Sequence, residues 1–278
     1  MISSATSRRR HHSRVGTSDA ANEATVVPHE PAPTTVNRCT DATVPPALVA
    51  IETCEPQTGG AEVGALRALR RLIVKLSGVT EAAVLVPVKA FGQAKLRLEA
   101  VLGADERAEL ARRMAAHVLR AAAPLHAAVV CDDREVATWA EAAGAEVVWC
   151  PGTGLNGAVS HGVGVLADHG YLEVVVAHGD LPAARRFDHL TGAGGVTVVP
   201  DRRADGTNVL CVPAAAGFCF SYGAGSFRRH CDEARRLGLR LRVRHDLDLN
   251  WDVDLPEDLQ RLPPLLRMPA AAGAGRVS

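Results

Sequence analysis

Between positions 87 and 98 the chain reads P-V-K-A-F-G-Q-A-K-L-R-L, which sets Lys89, Lys95 and Arg97 within nine residues. Far downstream, L-N-W-D-V-D-L-P-E-D-L at 249–259 places Asp252 and Asp254 two apart, and V-A-H-G-D-L-P at 176–182 supplies Asp180. In an extended segment a period of two puts both downstream carboxylates on one face. Carboxylates brought together repel one another unless a cation neutralises them, and hard oxygen ligands of this kind suit Mg²⁺ or Mn²⁺. Asp254 also fits the N-cap of a short helix with Pro256 near its first position. The three cations suit a polyphosphate, through charge-assisted contacts, or an ordinary solvated turn. The loop has no G-x-x-x-x-G-K-[ST] pattern and Gly92 stands alone, so it is neither a Walker loop nor a dinucleotide fingerprint.

Two further stretches could bind anions or a nucleoside. G-T-N-V-L at 206–210 and Y-G-A-G-S-F-R-R-H at 222–230 offer the Thr207 hydroxyl and a helix opening at Ser226. Gly223 and Gly225 free the backbone there, and the unsatisfied N–H groups of a helix start attract an anion. An ordinary glycine turn with a cap has the same pattern, and His230 reads as packing or solvent-facing. P-G-T-G-L-N-G-A at 151–158 leads into a helix near Leu155 and Asn156. Asn156 could bond a base or ribose, or cap that helix.

The elements that must carry these residues follow from the apolar pattern. Val-rich runs suited to buried strands occur at 82–88, 127–131, 145–149, 172–177 and 195–199. Helical patterns fill 104–122, 135–143 and 155–167. Near-continuous apolar strands separated by helices predict an α/β fold, one mostly parallel sheet flanked by helices. Beyond 207 the pattern predicts a strand at 208–213, a helix at 226–237, a strand near 241–245 and a short helix at 256–262. In such sheets the ligand crevice lies at the carboxyl ends of the strands, and the candidate loops all fall there.

Composition narrows the function classes. The 278 residues carry 31 basic and 31 acidic side chains, so no overall field points to nucleic acid or an anionic membrane. No apolar run approaches the roughly 20 residues that span a bilayer. The seven cysteines form no C-x-x-C pair and are odd in number, which speaks for a cytoplasmic location rather than a disulfide framework. Residues 1–80 are rich in Ser, Thr, Ala and Pro and read as a disordered tail or an over-extended start. Within it, 61–77 has the pattern of a basic amphipathic helix. The folded domain is expected over 81–266 and a flexible tail over 267–278.

Taken together, the motifs resemble those of the CofC-type guanylyltransferases of coenzyme F-420 biosynthesis, a branch of the nucleotidyltransferase folds of nucleotide-diphospho-sugar transferase type. The matching segments are P-V-K-x₅-A-K-x-R-L at 87–98, G-L-N-G-A at 154–158, G-D-L-P at 179–182, G-T-N-V-L at 206–210, Y-G-A-G-S-F-x-x-H at 222–230 and D-V-D-x-P-E-D-L at 252–259. The resemblance implies transfer of GMP from GTP to a small phospho-acid, with release of pyrophosphate. The acceptor it implies is phosphoenolpyruvate, with 2-phospho-L-lactate or 3-phosphoglycerate as alternatives, and the product passes to a deazaflavin transferase. It further implies Mg²⁺ on Asp180, Asp252 and Asp254, and the acceptor on Thr207, Gly223 and Ser226. Lys89, Lys95 and Arg97 would face the triphosphate, with Asp180 sharing the catalytic role, and Leu155 and Asn156 would face the nucleoside. Leu255 stands where the family usually has Thr, and Gly179 where it usually has Ala; neither removes a charged group. A molybdenum-cofactor-type transferase is the nearest rival, though its relatives typically open with L-A-G-G. A glycosyltransferase using D-V-D and a non-catalytic nucleotide-binding module are the others. The oligomeric state stays open, a homodimer included.

Overall fold

A computed structural model of the protein describes residues 82–267. The expectations for residues 1–80, including the amphipathic 61–77, and for the tail beyond 267 lie outside the described residues. Seven strands form one sheet: β1 (Ala82–Pro87), β2 (His126–Cys131), β3 (Glu146–Trp149), β4 (Glu173–Ala177), β5 (Val196–Pro200), β6 (Thr207–Pro213) and β7 (Leu241–Val243). Their order is β3-β2-β1-β4-β6-β5-β7. Helices α1 (Ala104–Ala121), α2 (Arg134–Ala142) and α3 (Gly154–Asp168) make the crossovers between the first four strands, which are all parallel. Helix α4 (Ser226–Arg236) lies between β6 and β7. Each strand and helix expected between 82 and 262 is present, with ends displaced by at most two residues.

Strand β6 is the exception to the parallel sheet, running antiparallel to both neighbours. The cause is the link from β5, residues 201–206, which is too short for a crossover and must make a hairpin. Asp201 closes it: its Oδ1 accepts from the N–H groups of Arg203 and Asp205, and its Oδ2 from that of Gly206, all at 3.0 Å. This reversal brings the start of β6, Thr207, to the edge where the other strands end.

Alternate residues of β1 feed two cores. Val84 and Val86 pack with Val118, Val136 and Val175 on one face, and Ala83 and Leu85 with Val163, Leu166 and Val176 on the other. Gly162 lets α3 lie directly on Leu85, since a Cβ there would come within 2.6 Å of that side chain. A third cluster joins Leu98, Leu110, Met114, Val253, Leu262 and Leu266. It fastens the loop after β1 and the D-V-D segment to the same face of α1, so two sets of charged residues far apart in sequence are held side by side.

Candidate active site

The chain runs from β1 outward to β2 and β3, then returns to β4 on the other side of β1, so the crevice of the sheet opens between β1 and β4. A cavity of 680 Å³ opens there, walled by Val88, Lys89 and Lys95 after β1, Asp132 after β2, Leu155 on α3, and Asp180 after β4. The loop after β1 is anchored by Phe91, which is buried, meets Trp139 edge-on at 5.2 Å and lies under the Arg112 guanidinium at 4.9 Å. Lys95 then takes a left-handed backbone conformation (φ 55°, ψ 39°), uncommon for a residue with a side chain. It is the cap of a single 3₁₀ turn, Leu96–Leu98, and Leu98 ties that turn to the third cluster.

That backbone turn sends the Lys95 ammonium inward to the carboxylates. Its Nζ donates to Asp180 Oδ2 at 2.5 Å and to the Val253 carbonyl at 2.5 Å, and lies 3.4 Å from Asp254 Oδ1. Arg97 reaches Asp254 Oδ2 at 3.2 Å from the exposed side. Burial alone would push the Lys95 ammonium down, but the charges and hydrogen bonds of Asp180 and Asp254 outweigh it and hold its pKa above the ordinary value. For Asp180 burial acts upward, and the Lys95 charge overcomes it, so its carboxyl is held below the usual range. Asp252 goes the other way: burial, then the negative charges of Asp180 and Asp254, raise it.

The structure therefore brings Lys95, Arg97, Asp180, Asp252 and Asp254 into one cluster, with Lys89 exposed on the cavity wall. The expected capping role of Asp254 is not what is found. Leu255 is at the N-cap of the 3₁₀ helix Pro256–Arg261, the form that the expected short helix takes. Asp258 reaches back instead, accepting from the N–H groups of Asp254 at 3.0 Å and Leu255 at 2.9 Å. Arg202 donates to it twice, at 2.6 and 3.2 Å, and Trp251 at 3.4 Å. Burial would raise Asp258, yet these donors bring its pKa down to about 2. Asp258 thus fixes the backbone from which Asp254 projects. Its position three after the cap, in P-E-D, was the signal.

Could the three carboxylates hold a metal ion? Among the described residues no group of three or more His, Cys, Asp or Glu side chains is already arranged to do so. The chemistry of the donors nevertheless fits one. Asp180 Oδ1 is buried without a hydrogen-bond partner, and Asp252 is a carboxylate whose charge the surroundings disfavour. Both features are relieved by a nearby divalent cation.

Thr207 and Ser226 are buried and Gly223 takes a left-handed φ of 114°, and none of the three is among the residues lining the cavity. His230, buried on α4, joins them. Its Nε2 accepts from the Ser221 N–H at 3.0 Å, which fixes the hydrogen on Nδ1, and Nδ1 donates to Thr207 Oγ1 at 3.0 Å. Burial, with Arg229 nearby, pushes its pKa down to about 4, so the ring is neutral near pH 7. His230 therefore has a positioning part that sequence reasoning left unassigned; a histidine at Ser226+4, on the face of α4 turned to the sheet, was the available signal. Gly225 N–H bonds to Asp205 Oδ2 at 3.1 Å, and Arg229 wraps the loop by donating to the carbonyls of Ser221 and Ala224. Asn156 does not cap α3, which starts at Gly154. Its Oδ1 accepts from the Tyr222 N–H at 2.7 Å, linking α3 to this loop, while Leu155 faces the cavity.

The sequence that folds this way matches a known family. The model of the guanylyl transferase CofC-like family matches residues 82–263. The chain belongs to that family. It is accordingly a nucleotidyltransferase. The phosphoenolpyruvate guanylyltransferase of Sphaerobacter thermophilus is 36% identical over 186 residues, covering 64% of this chain and 90% of that protein. The 2-phospho-L-lactate guanylyltransferase of Archaeoglobus fulgidus is 34% identical over 185 residues, 64% of this chain and 82% of that one. Among solved structures, a putative nucleotide-diphospho-sugar transferase from Desulfovibrio desulfuricans G20 aligns with a TM-score of 0.50 at 22% identity, over 64% of this chain and 84% of that chain. That likeness concerns the fold, and it agrees with the nucleotide-diphospho-sugar transferase type expected from the sequence.

Proposed function

We propose that the protein transfers the guanylyl group of GTP to the phosphate of a small phospho-acid, with phosphoenolpyruvate as the first candidate acceptor and coenzyme F-420 synthesis in the cytoplasm as the setting. The observation that carries this reading is the Lys95–Asp180–Asp254 cluster at the mouth of the cavity between β1 and β4. The family supports guanylyl transfer, and its named members act on more than one phospho-acid.

An oxygen of the acceptor phosphate attacks the α-phosphorus of GTP; the new P–O bond forms as the bond to the β-phosphate oxygen breaks, and pyrophosphate leaves. No general base is required, because that oxygen is already ionised near pH 7. The obstacle is the repulsion of two anions, so positioning and electrostatics supply most of the rate. Lys89 and Lys95 line the wall that the triphosphate would follow, and Arg97 extends the positive charge outward. Leu155 packs against the nucleoside. Thr207, Gly223 and Ser226 receive the acceptor, with the Thr207 hydroxyl held by His230 so that its own hydrogen is free to donate. Asp180, Asp252 and Asp254 would hold Mg²⁺, whose chemistry when bound is to neutralise phosphate charge.

The test is pyrophosphate release from GTP and Mg²⁺ with phosphoenolpyruvate, 2-phospho-L-lactate or 3-phospho-D-glycerate, each supplied alone. Release with phosphoenolpyruvate and with neither of the others is expected. Release with another acceptor corrects the substrate. Silence with all three, from folded protein that binds GTP, overturns the reading.

A further inference from the structure

The Lys95 ammonium is more enclosed than the carboxylates it pairs with, its side chain being only 10% exposed against 23% for Asp180 and 41% for Asp254, and its partners are the groups assigned to a metal. It is 2.5 Å from Asp180 Oδ2, 3.4 Å from Asp254 Oδ1 and 2.5 Å from the carbonyl of Val253, the residue between Asp252 and Asp254. These oxygens come from the end of β4 and from the D-V-D segment, and the ammonium lies between the two. A divalent ion bound to the same oxygens at roughly 2.0–2.1 Å would need that space. It would also meet a like charge at close range in a partly buried setting, where repulsion is poorly screened.

We propose that Lys95 is a resident counter-ion whose ammonium and the divalent cation exclude one another, so that the cation enters the carboxylate cluster only as the ammonium leaves it. Three features agree with a place held by the lysine. Asp180 Oδ1 stays without a partner although Oδ2 is engaged, so the ammonium satisfies only part of what the cluster offers. The formal charge of Asp180, Asp252 and Asp254 against Lys95 and Arg97 is −3 + 2 = −1, which leaves the cluster short of one positive charge. The backbone of Lys95 is held in the left-handed region, a conformation an alkyl-bearing residue adopts only where surrounding contacts enforce it. The displaced ammonium has an alternative partner if the proposed reaction is right, since Lys95 also lines the cavity assigned to the triphosphate. That clause alone rests on the functional reading; the exclusion itself does not.

The experiment is a titration of the full chain with Mn²⁺, without nucleotide or acceptor, read as free Mn²⁺ by electron paramagnetic resonance. Wild type is compared with Lys95→Met and Arg97→Gln. Both substitutions remove one positive charge beside Asp254, but only the first vacates the contested position. Lys95→Met is expected to bind Mn²⁺ at least tenfold more tightly than wild type, and Arg97→Gln within threefold of it. Equal tightening in both variants would mean a general charge effect and would overturn the proposal, as would no tightening in Lys95→Met. Lys95→Gln serves if the methionine variant does not fold, with the same expected tightening and the same overturning result. Because no substrate is present, a silent pyrophosphate assay leaves this outcome untouched, and the two readings fail separately.

Discussion

On the β1 side of Asp180 the polar groups are charged and incompletely paired, whereas on the β6 side Thr207 and His230 are neutral, buried and bonded to one another. The first side has Lys89 exposed on a cavity wall, Asp180 Oδ1 without a partner and Asp252 raised by its neighbours. The second has Thr207 tied to His230, His230 to Ser221, and Asn156 to Tyr222. Charged groups left short of partners cost stability and gain it back when an opposite charge arrives. Neutral groups already bonded to one another keep their places whether or not a ligand is present. The contrast teaches that the charged side lacks a cation rather than an anion; on the proposed reading it takes up a divalent ion as it meets the nucleotide, and we assign the small acceptor to the other side.

The largest effect should come from Asp252→Asn. If the carboxylate is needed for turnover, kcat falls about 10³-fold, in the range of lost transition-state electrostatics. Stability moves the opposite way: the raised pKa of Asp252 means that its charge is disfavoured in the fold, so removal should leave the melting temperature unchanged or higher. A drop in both activity and stability would erase the distinction between the two sides. His230→Ala comes next. It leaves the buried Thr207 hydroxyl and Ser221 N–H without their partner, and should cost about 3 kcal/mol in urea unfolding. The acceptor KM should rise while that for GTP holds within twofold; equal changes in both would break the comparison.

Asp258 supplies a pH test. Its folded pKa of about 2 lies below the ordinary 3.8, so its contribution is fully present above about pH 4 and is lost as the pH falls through 2. The difference corresponds to about 2 kcal/mol. Asp258→Asn should lose about that much at pH 7 and show a flatter acid limb in urea midpoints between pH 4 and 2. The smallest effect belongs to Arg97→Gln. An ion pair this exposed contributes under about 1 kcal/mol, so its stability should barely change. The GTP KM should rise several-fold and lose some of its dependence on ionic strength.

The elements were legible because Val-rich strands and amphipathic helices leave strong periodic signals; the strand at 207–213 and helix at 226–236 were readable to within a residue or two. Direction was less so. Nothing in the apolar pattern of T-N-V-L-C-V-P distinguishes an antiparallel strand, and only the short 201–206 link does. The charged residues stood out by type and by their place in loops at one edge of the sheet, although a solvated turn and a helix cap fitted the same residues. Their partners were not: that Lys95 would meet Asp180 and Asp254 depends on a left-handed backbone at one residue and on packing around Leu98 and Val253. Asn156 shows the same limit, because a side chain bound to a backbone N–H 66 positions away leaves no local trace.

The hairpin that reverses β6 has a consequence for how such an enzyme can diversify. The chain completes β1 to β4, to which we assign the nucleotide, before the turn at 201–206 begins, and the groups assigned to the acceptor come after it, from Thr207 to Ser226. Mutations in that later block can reshape the seat while the earlier crossovers and their helices stay as they are. On that assignment, substrate drift is segregated into one contiguous stretch of gene, and a lineage can trade one phospho-acid for another without relearning how to hold the donor.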